Sequence, residues 1–441
     1  MKRREFIKIS GTGLMGAAAL SVTGCGNEAE TSVQSIESLG NVVRNYPEAG
    51  LLGFGAMRWP MTKGADGSDI IDQEKVNEMV DLALEHGVTY FDTAPVYLQG
   101  KSETATGIAL HRHPRESYTI ATKLSNFRGP WTYKDGVDMY RKSLANLQTE
   151  YIDFYLLHSL DGGKSFKARF LDNGLMEFIQ GERKAGRIRH LGFSFHGSRE
   201  GFDEMLALHS EYHWDFVQIQ MNYSDWYSTD GEESEYMYTR LDEMEIPVVI
   251  MEPLLGGRLA NIPAPLENML KAEEPSQSAA SWAFRFCGSH PRIYTVLSGM
   301  TYKEHLEDNL RTFCNFKPLS ESDYALLKTI ADGLGDYHLV DCTDCKYCMP
   351  CPYGINIPGI FQFYNRHITE GTYVASSAQK DFERVRRKYL TDYNKTIEAV
   401  RQADHCCRCY QCLSKCPQKI NIPTELSRID SYIEDLKQGK I

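Results

Sequence analysis

A surplus of positive charge is missing from this sequence: 59 acidic residues against 48 basic ones leave a net charge of −11. A protein that grips nucleic acid shows a basic patch or stripe, so the balance argues against such a surface and for small molecules or protein partners. Long hydrophobic runs are missing too. The apolar stretch between Lys8 and Gly24 falls short of the roughly 20 residues that a membrane helix needs. No G-x-G-x-x-G turn follows the first strand-like run, which removes the dinucleotide fingerprint of a doubly wound sheet. Cysteine is plentiful but not spread as a disulfide framework would be. Of 12 cysteines, eight sit in two tight runs near the C-terminus, a distribution that reads as metal ligation. Cys287 and Cys314 stand apart and read as small buried hydrophobes.

The chain has 441 residues with 42% apolar content, enough for a large domain plus a smaller one, since single cores stop growing beyond roughly 250 to 300 residues. Lys2-Arg3-Arg4-Glu5-Phe6-Ile7-Lys8, an uncharged Gly- and Ala-rich run to Gly24, and then Cys25 have the basic start, short apolar region and small-residue exit of an export signal. Arg-Arg-x-Phe-x-Lys resembles a twin-arginine signal, and Val22-Thr23-Gly24-Cys25 resembles a lipobox. Those resemblances imply export over residues 1–25, to the periplasmic or cell-envelope side, and a lipid anchor at Cys25 as the one expected membrane attachment. Residues 26–49 are polar without clear periodicity and read as a linker.

From Leu51 onward strand and helix signals alternate. Apolar runs at Leu51–Met57, Gly87–Phe91, Tyr118–Leu124, Ile152–His158, His190–Phe195, Phe216–Met221, Pro247–Met251 and Ile293–Leu297 alternate with amphipathic stretches such as Glu74 to His86, where Val76, Met79, Val80 and Ala83 keep helical spacing and Gly87 supplies the stop. Eight strand-helix units ending near Arg311 predict an α/β fold, a (β/α)8 TIM barrel over residues 50–320. A doubly wound open sheet is the alternative. It loses because the fingerprint turn is missing and because polar residues of interest end several different strands.

Those residues are Asp92 and Tyr97 in Tyr90-Phe91-Asp92-Thr93-Ala94-Pro95-Val96-Tyr97, Lys123 closing Ile120-Ala121-Thr122-Lys123, and His158 closing Phe154-Tyr155-Leu156-Leu157-His158. In a parallel barrel the carboxyl ends of successive strands open onto one face, so the four can converge. A free phenol has a pKa of about 10 and an adjacent ammonium lowers it. Lys123 would be that ammonium, Asp92 would hold it charged and oriented, Tyr97 would be a tuned general acid, and His158 a hydrogen-bond donor to a carbonyl oxygen. Taken singly, each has an ordinary role as turn, loop, strand-end or core residue. Loops at Arg58 to Asp72, Ser125 to Lys134 and Asn222 to Asp230 carry Trp59, Trp131, Tyr223 and Trp226, which could wall an apolar substrate pocket.

FDTAPVY followed by GKSE, ATK and YIDFYLLH resembles the aldo/keto reductase family, from about Leu51 to Asn309. The resemblance implies an oxidoreductase that moves hydride between a nicotinamide cofactor, NADPH or NADH, and a small-molecule carbonyl or alcohol substrate. It places Ser194 and Gln218 on the nicotinamide carboxamide and Asn309 among the phosphate and adenine contacts. Gly299 and His305 stand where many NADPH-using members carry basic residues, and Met251 where many carry an aromatic that stacks on the nicotinamide.

The C-terminal runs are Cys342-x2-Cys345-x2-Cys348-x2-Cys351-Pro352 and Cys406-x2-Cys409-x2-Cys412-x3-Cys416-Pro417. The second has the bacterial ferredoxin spacing, in which the cysteine before proline usually ligates the other cluster. The segments just past the two runs repeat as well: Gly354-Ile355-Asn356-Ile357-Pro358 beside Lys419-Ile420-Asn421-Ile422-Pro423, each expected to start a helix at its proline. Two zinc sites are the competing reading. The first run is one residue shorter than the ferredoxin pattern, and Cys407 is a bystander. Barrel plus tail resembles the iron-sulfur branch of the family, which implies a small, mainly helical ferredoxin-like domain over residues 335–430 with two 4Fe-4S clusters relaying electrons to or from an electron-transfer protein. Phe361 to Ala403 reads as a charged spacer with a solvated face. A different class of function, an exported redox-sensing or binding module with structural cysteines, is disfavoured by the intact Asp, Tyr, Lys and His set.

Overall fold

In the computed structural model, residues 34–127, 129, 131–228 and 234–441 are described. The export signal at 1–25, the linker's first part at 26–33, and Asp230 lie outside the described residues. Eight parallel strands close on themselves: β1 (Leu52–Gly55), β2 (Tyr90–Asp92), β3 (Thr119–Leu124), β4 (Ile152–Leu160), β5 (Ile188–Phe195), β6 (Phe216–Gln220), β7 (Val248–Met251) and β8 (Ile293–Ser298). Closure is made by β1, which pairs β2 at Gly53↔Tyr90 and β8 at Leu52↔Val296. The expected (β/α)8 barrel is therefore present.

Local chemistry explains the units. In the helix Gln73–Glu85, Asp72 accepts from the Lys75 backbone N–H, and Val76, Met79, Val80 and Ala83 form the buried face. Gly87 then takes φ 77°, a conformation that costs glycine little and ends the helix. Inside the barrel, Tyr90, Phe154, Phe216 and Tyr294 interlock, with Phe154 4.9 Å from Tyr90, 5.1 Å from Phe216 and 5.3 Å from Tyr294 between ring centroids. These rings plug the barrel and leave its carboxyl end as the open face.

The second half of the expected linker is not a tether. Ile36, Leu39 and Val42 are buried in the main core, the Val42 N–H donates to His86 O at 2.9 Å, and Tyr46 packs on Tyr294 at 5.0 Å. Three apolar anchors, one every third residue, outweigh a polar average composition.

Beyond the helix Glu321–Leu334, the tail builds a second core. Its helices are Ile357–Thr369, Phe382–Thr396 and Ile422–Gln438. Asn356 and Asn421 cap the first and third, accepting from the Gly359 and Thr424 backbones, so the sequence repeat is also a structural one. The expected spacer is no solvated face: Phe361, Tyr364, Tyr389 and Tyr393 are buried in that core, and only its outward side is charged. Barrel and tail lie within one compact unit, Ser35–Ile441. Among the described residues no helix is long and apolar enough to cross a membrane.

Helix packing around the site is tight at Gly107, where a Cβ would stand 2.4 Å from Asn146 O and 2.7 Å from Leu147 Cα. Gly107→Ala should cost about 1–3 kcal/mol by overpacking, read as a lowered thermal midpoint; an unchanged midpoint would contradict the packing.

Candidate active site

The four expected catalytic residues come together at the carboxyl ends of β2, β3 and β4. Asp92 and Lys123 are both buried, and the Lys123 ammonium donates to both Asp92 oxygens at 2.6 Å and to Thr93 O at 2.9 Å. Tyr97 follows β2 in a turn tightened by left-handed Leu98 and Gln99, and Lys123 Nζ lies over its ring, 5.1 Å from the centroid. The His158 ring meets the Tyr97 ring edge-on at 6.0 Å. Its Nδ1 is 2.6 Å from Ser125 Oγ. When that hydroxyl donates, Nδ1 accepts and Nε2 carries the ring proton, ready to donate to a substrate oxygen. Arg169 fixes the same strand end by donating to His158 O at 2.6 Å and Ser159 O at 2.9 Å.

Electrostatics correct one expectation. The Tyr97 phenol is not lowered in the resting protein: burial pushes it well above its ordinary value, and the nearby Tyr347, Asp92, Glu252 and Cys345 push the same way. Lys123 is paired with Asp92, and Tyr97 stays a neutral phenol. Burial also raises the Asp92 carboxyl and lowers the Lys123 ammonium, each opposed by the partner's charge. His158 is held well below its ordinary 6.5 by burial, with Lys123, Arg169 and His196 adding to it.

Ser194 on β5 and Gln218 on β6 are direct neighbours in register. Ser194 Oγ accepts from the Ser159 N–H at 2.7 Å. Gln218 places Nε2 3.5 Å from Met251 Sδ, while its buried Oε1 has no hydrogen-bond partner. A buried amide oxygen left open is costly unless something donates to it, and a carboxamide N–H fits that need. Asn309 stands apart, donating to Ser298 Oγ at 2.9 Å near the end of β8. Gly299 provides no cation there; the stem of Arg58 passes it, with Cδ 3.1 Å from where a Gly299 Cβ would be, and carries its guanidinium to Asp344 and Thr343 O.

A family model described as the Aldo/keto reductase family matches residues 51–332. The chain belongs to that family. The family's chemistry makes it an NAD(P)H-dependent oxidoreductase. It is 26% identical over 290 residues to the uncharacterized oxidoreductase YqkF of Bacillus subtilis (strain 168), covering 58% of this chain and 88% of that one. It is 30% identical over 246 residues to the probable aldo-keto reductase 1 of Glycine max, covering 52% and 64%. Among solved structures it is similar to an aldo-keto reductase from Klebsiella pneumoniae in complex with NADPH, with a TM-score of 0.52 at 20% identity over 66% of this chain and 95% of that one.

The family match ends before the first cysteine run, yet the tail reaches the aldo/keto reductase site. Arg58 donates to Asp344 at 3.3 Å and to Thr343 O, and Arg258 pairs with Asp341 at 2.8 Å. Thr343 Cα sits 2.5 Å from where a Gly256 Cβ would be. Gln220 and Gln418 exchange amide hydrogen bonds at 3.0 and 3.3 Å. The eight run cysteines sort into two groups. Cys342, Cys345 and Cys348 lie within electrostatic reach of Cys416, and Cys406, Cys409 and Cys412 share a neighbourhood with Cys351. Thiols of the second group line one cavity, to which Cys348 of the first group and Cys407 also contribute. Among the described residues no three His, Cys, Asp or Glu side chains stand where they could hold a single metal ion.

The loop aromatics expected to wall a pocket mostly do not. Trp59 and Tyr223 are core residues, Trp226 packs on His290 at 4.9 Å, and Trp131 is exposed. Phe127 takes that place, 4.7 Å from His158. Ser125, Arg169, Glu252 and Tyr347 were missed as well; Ser125 follows Lys123 by two residues and carried a weak signal, the others none.

Because His158 is neutral, kcat/KM for carbonyl reduction should show no histidine limb between about pH 6 and about pH 8. Its depressed value puts protonation below that window. A limb with a midpoint of about 6.5 in the pH profile would contradict the burial argument.

Proposed function

We propose that this aldo/keto reductase interconverts a carbonyl and an alcohol at the barrel mouth with NADPH, and that its tail holds two 4Fe-4S clusters in exchange with an electron-transfer partner. When bound, the nicotinamide supplies or accepts hydride at the substrate carbon, and the clusters supply or accept single electrons.

The carrying observation is the meeting of Tyr97 and His158 over the bidentate Lys123–Asp92 pair. Tyr97 gives its phenolic proton to the oxygen that becomes the alcohol. His158 orients that oxygen through Nε2, with Ser125 setting the tautomer. Lys123 faces the Tyr97 ring as a fixed cation and favours the phenolate left after proton transfer, while Asp92 keeps Lys123 in place. Ser194 and Gln218 would hold the carboxamide, the open Gln218 Oε1 accepting from it. Asn309 stands near the end of β8, next to a loop where barrels frequently bind phosphate. NADPH rather than NADH is supported by the likeness to the Klebsiella pneumoniae aldo-keto reductase in complex with NADPH.

For the clusters, the support is the sorting of the thiols. Cys342, Cys345, Cys348 and Cys416 would hold one, and Cys351, Cys406, Cys409 and Cys412 the other, the exchange of fourth ligands known for two-cluster ferredoxins. Four thiolates on one zinc ion would crowd around a point at about 2.3 Å. Cys351, Cys406, Cys409 and Cys412 instead line a cavity together with Cys348, which suits a polynuclear group better. Export by the twin-arginine route and lipidation at Cys25 rest on Arg3, Arg4, Phe6 and Lys8 and on the Val22–Cys25 motif.

Tyr97→Phe should lower kcat by about 10²- to 10⁴-fold while leaving NADPH affinity unchanged, measured by steady-state kinetics and nucleotide fluorescence; an undiminished rate would sink the proton-donor role. Anaerobically purified protein should show a visible iron-sulfur band that bleaches on adding NADPH. A colourless, zinc-containing protein would refute the clusters.

A further inference from the structure

We propose that the first cysteine loop, residues 341–348, is a wall of the carbonyl-binding pocket, with Tyr347 the side chain that meets an uncharged aromatic aldehyde or ketone beside Phe127. The inference rests on the aldo/keto reductase reading of the barrel and adds a residue that the barrel itself does not contain.

The geometry starts at the site. His158 touches Phe127 at 4.7 Å between centroids, and Phe127 in turn touches Tyr347 at 6.0 Å, with a tilt of 46°. Centroid separations of about 4.5–7 Å are those of interacting aromatic pairs, so one aromatic row runs from the carbonyl-orienting histidine into the tail. Tyr347 is half-buried, as expected of a ring that lines a cleft rather than fills a core.

The loop is anchored, not draped. Arg58, after β1, holds Thr343 O and Asp344, and Arg258, after β7, holds Asp341. Close approach of Thr343 to Gly256 requires the absence of a side chain there. A wall fixed from two sides of the mouth gives Tyr347 a defined position, which specificity needs.

Charge selects the substrate class. The cations around the mouth have partners: Arg58 and Arg258 are paired with tail carboxylates, Lys123 with Asp92, Lys346 on the loop itself with Asp344, and Arg169 with backbone oxygens. Glu252 adds a carboxyl on the same face, within electrostatic reach of Tyr97. A substrate carboxylate would find no unpaired partner among these groups, whereas an uncharged aryl carbonyl can lie along the Phe127–Tyr347 row.

The test uses the full chain loaded with NADP+, and benzaldehyde and propanal as probes, with dissociation constants read by calorimetry. Tyr347→Ala should weaken benzaldehyde about threefold to tenfold, the worth of one aromatic contact, and leave propanal unchanged. Tyr347→Phe, which keeps the ring, should retain benzaldehyde binding. In turnover the Tyr347→Ala effect should fall on KM, with kcat and NADPH affinity preserved. Should that variant fail to fold, Phe127→Ala makes the same prediction from the other ring. Equal weakening of both probes, no weakening of either, or no benzaldehyde binding by the wild type would overturn the inference. Tyr97→Phe in the same series separates the two ideas: full activity in that variant would refute the reductase reading instead.

Discussion

The Lys123–Asp92 pair is the constraint on which the rest of the site depends. An ammonium and a carboxylate buried together at 2.6 Å carry a desolvation cost that their attraction offsets only with good geometry and further hydrogen bonds. Both conditions are met here, since Lys123 reaches both carboxylate oxygens and Thr93 O. Neighbouring β2 and β3 bring the partners together, with Asp92 opposite Ala121 in register. Removing either partner would leave the other charge buried and alone. The pair therefore locks two strand ends, and Tyr97, five residues past Asp92, inherits its position from that lock.

A fixed cation over the Tyr97 ring does not make the phenol acidic in the resting protein. Burial and the surrounding carboxyl, phenol and thiol groups win, and the phenol stays protonated. That is the state a proton donor needs at the start of carbonyl reduction. The neutral His158 complements it, because an imidazole that keeps one N–H and no charge can donate a hydrogen bond without competing as an acid. Two groups shifted in opposite directions, phenol up and imidazole down, divide the roles of proton donor and positioning donor between them.

Asp92, Tyr97, Lys123 and His158 were legible because each ends, or closely follows, an apolar strand, and barrel geometry turns that one-dimensional feature into a shared face. Ser194 and Gln218 were legible in the same way, as polar residues in otherwise apolar strands. Arg58 near Gly299, Arg169 behind His158, and Tyr347 beside Phe127 were not. The first and last of these contacts join residues about half the chain apart, and no local period or motif encodes which loop lands on which strand end. The direction of the Tyr97 shift failed for a related reason: counting the nearest cation omits burial, which is a property of everything packed around the ring. Residues 36–46 hid behind average polarity, since three well-placed apolar side chains suffice to dock a short segment.

The tail shows why barrel and cysteine chemistry cannot be treated as separate modules. Gln418, two residues beyond Cys416, bonds Gln220 at the end of β6, and Asp341 and Asp344 flank Cys342 while pairing with barrel arginines. The quartet Cys342, Cys345, Cys348 and Cys416 is thus the one held against the barrel, and Cys345 lies within electrostatic reach of Tyr97 and Glu252. Cys351, Cys406 and Cys412 pack against the tail's own core, which Tyr389, Tyr393 and Ile429 help to build. Cys416 lies close to the first run and Cys351 close to the second, which draws the tail's two ends together, while Arg58 and Arg258 hold the loop that carries Tyr347 on the barrel side. A catalytic mouth built this way has its shape set by the tail as well as by the strands.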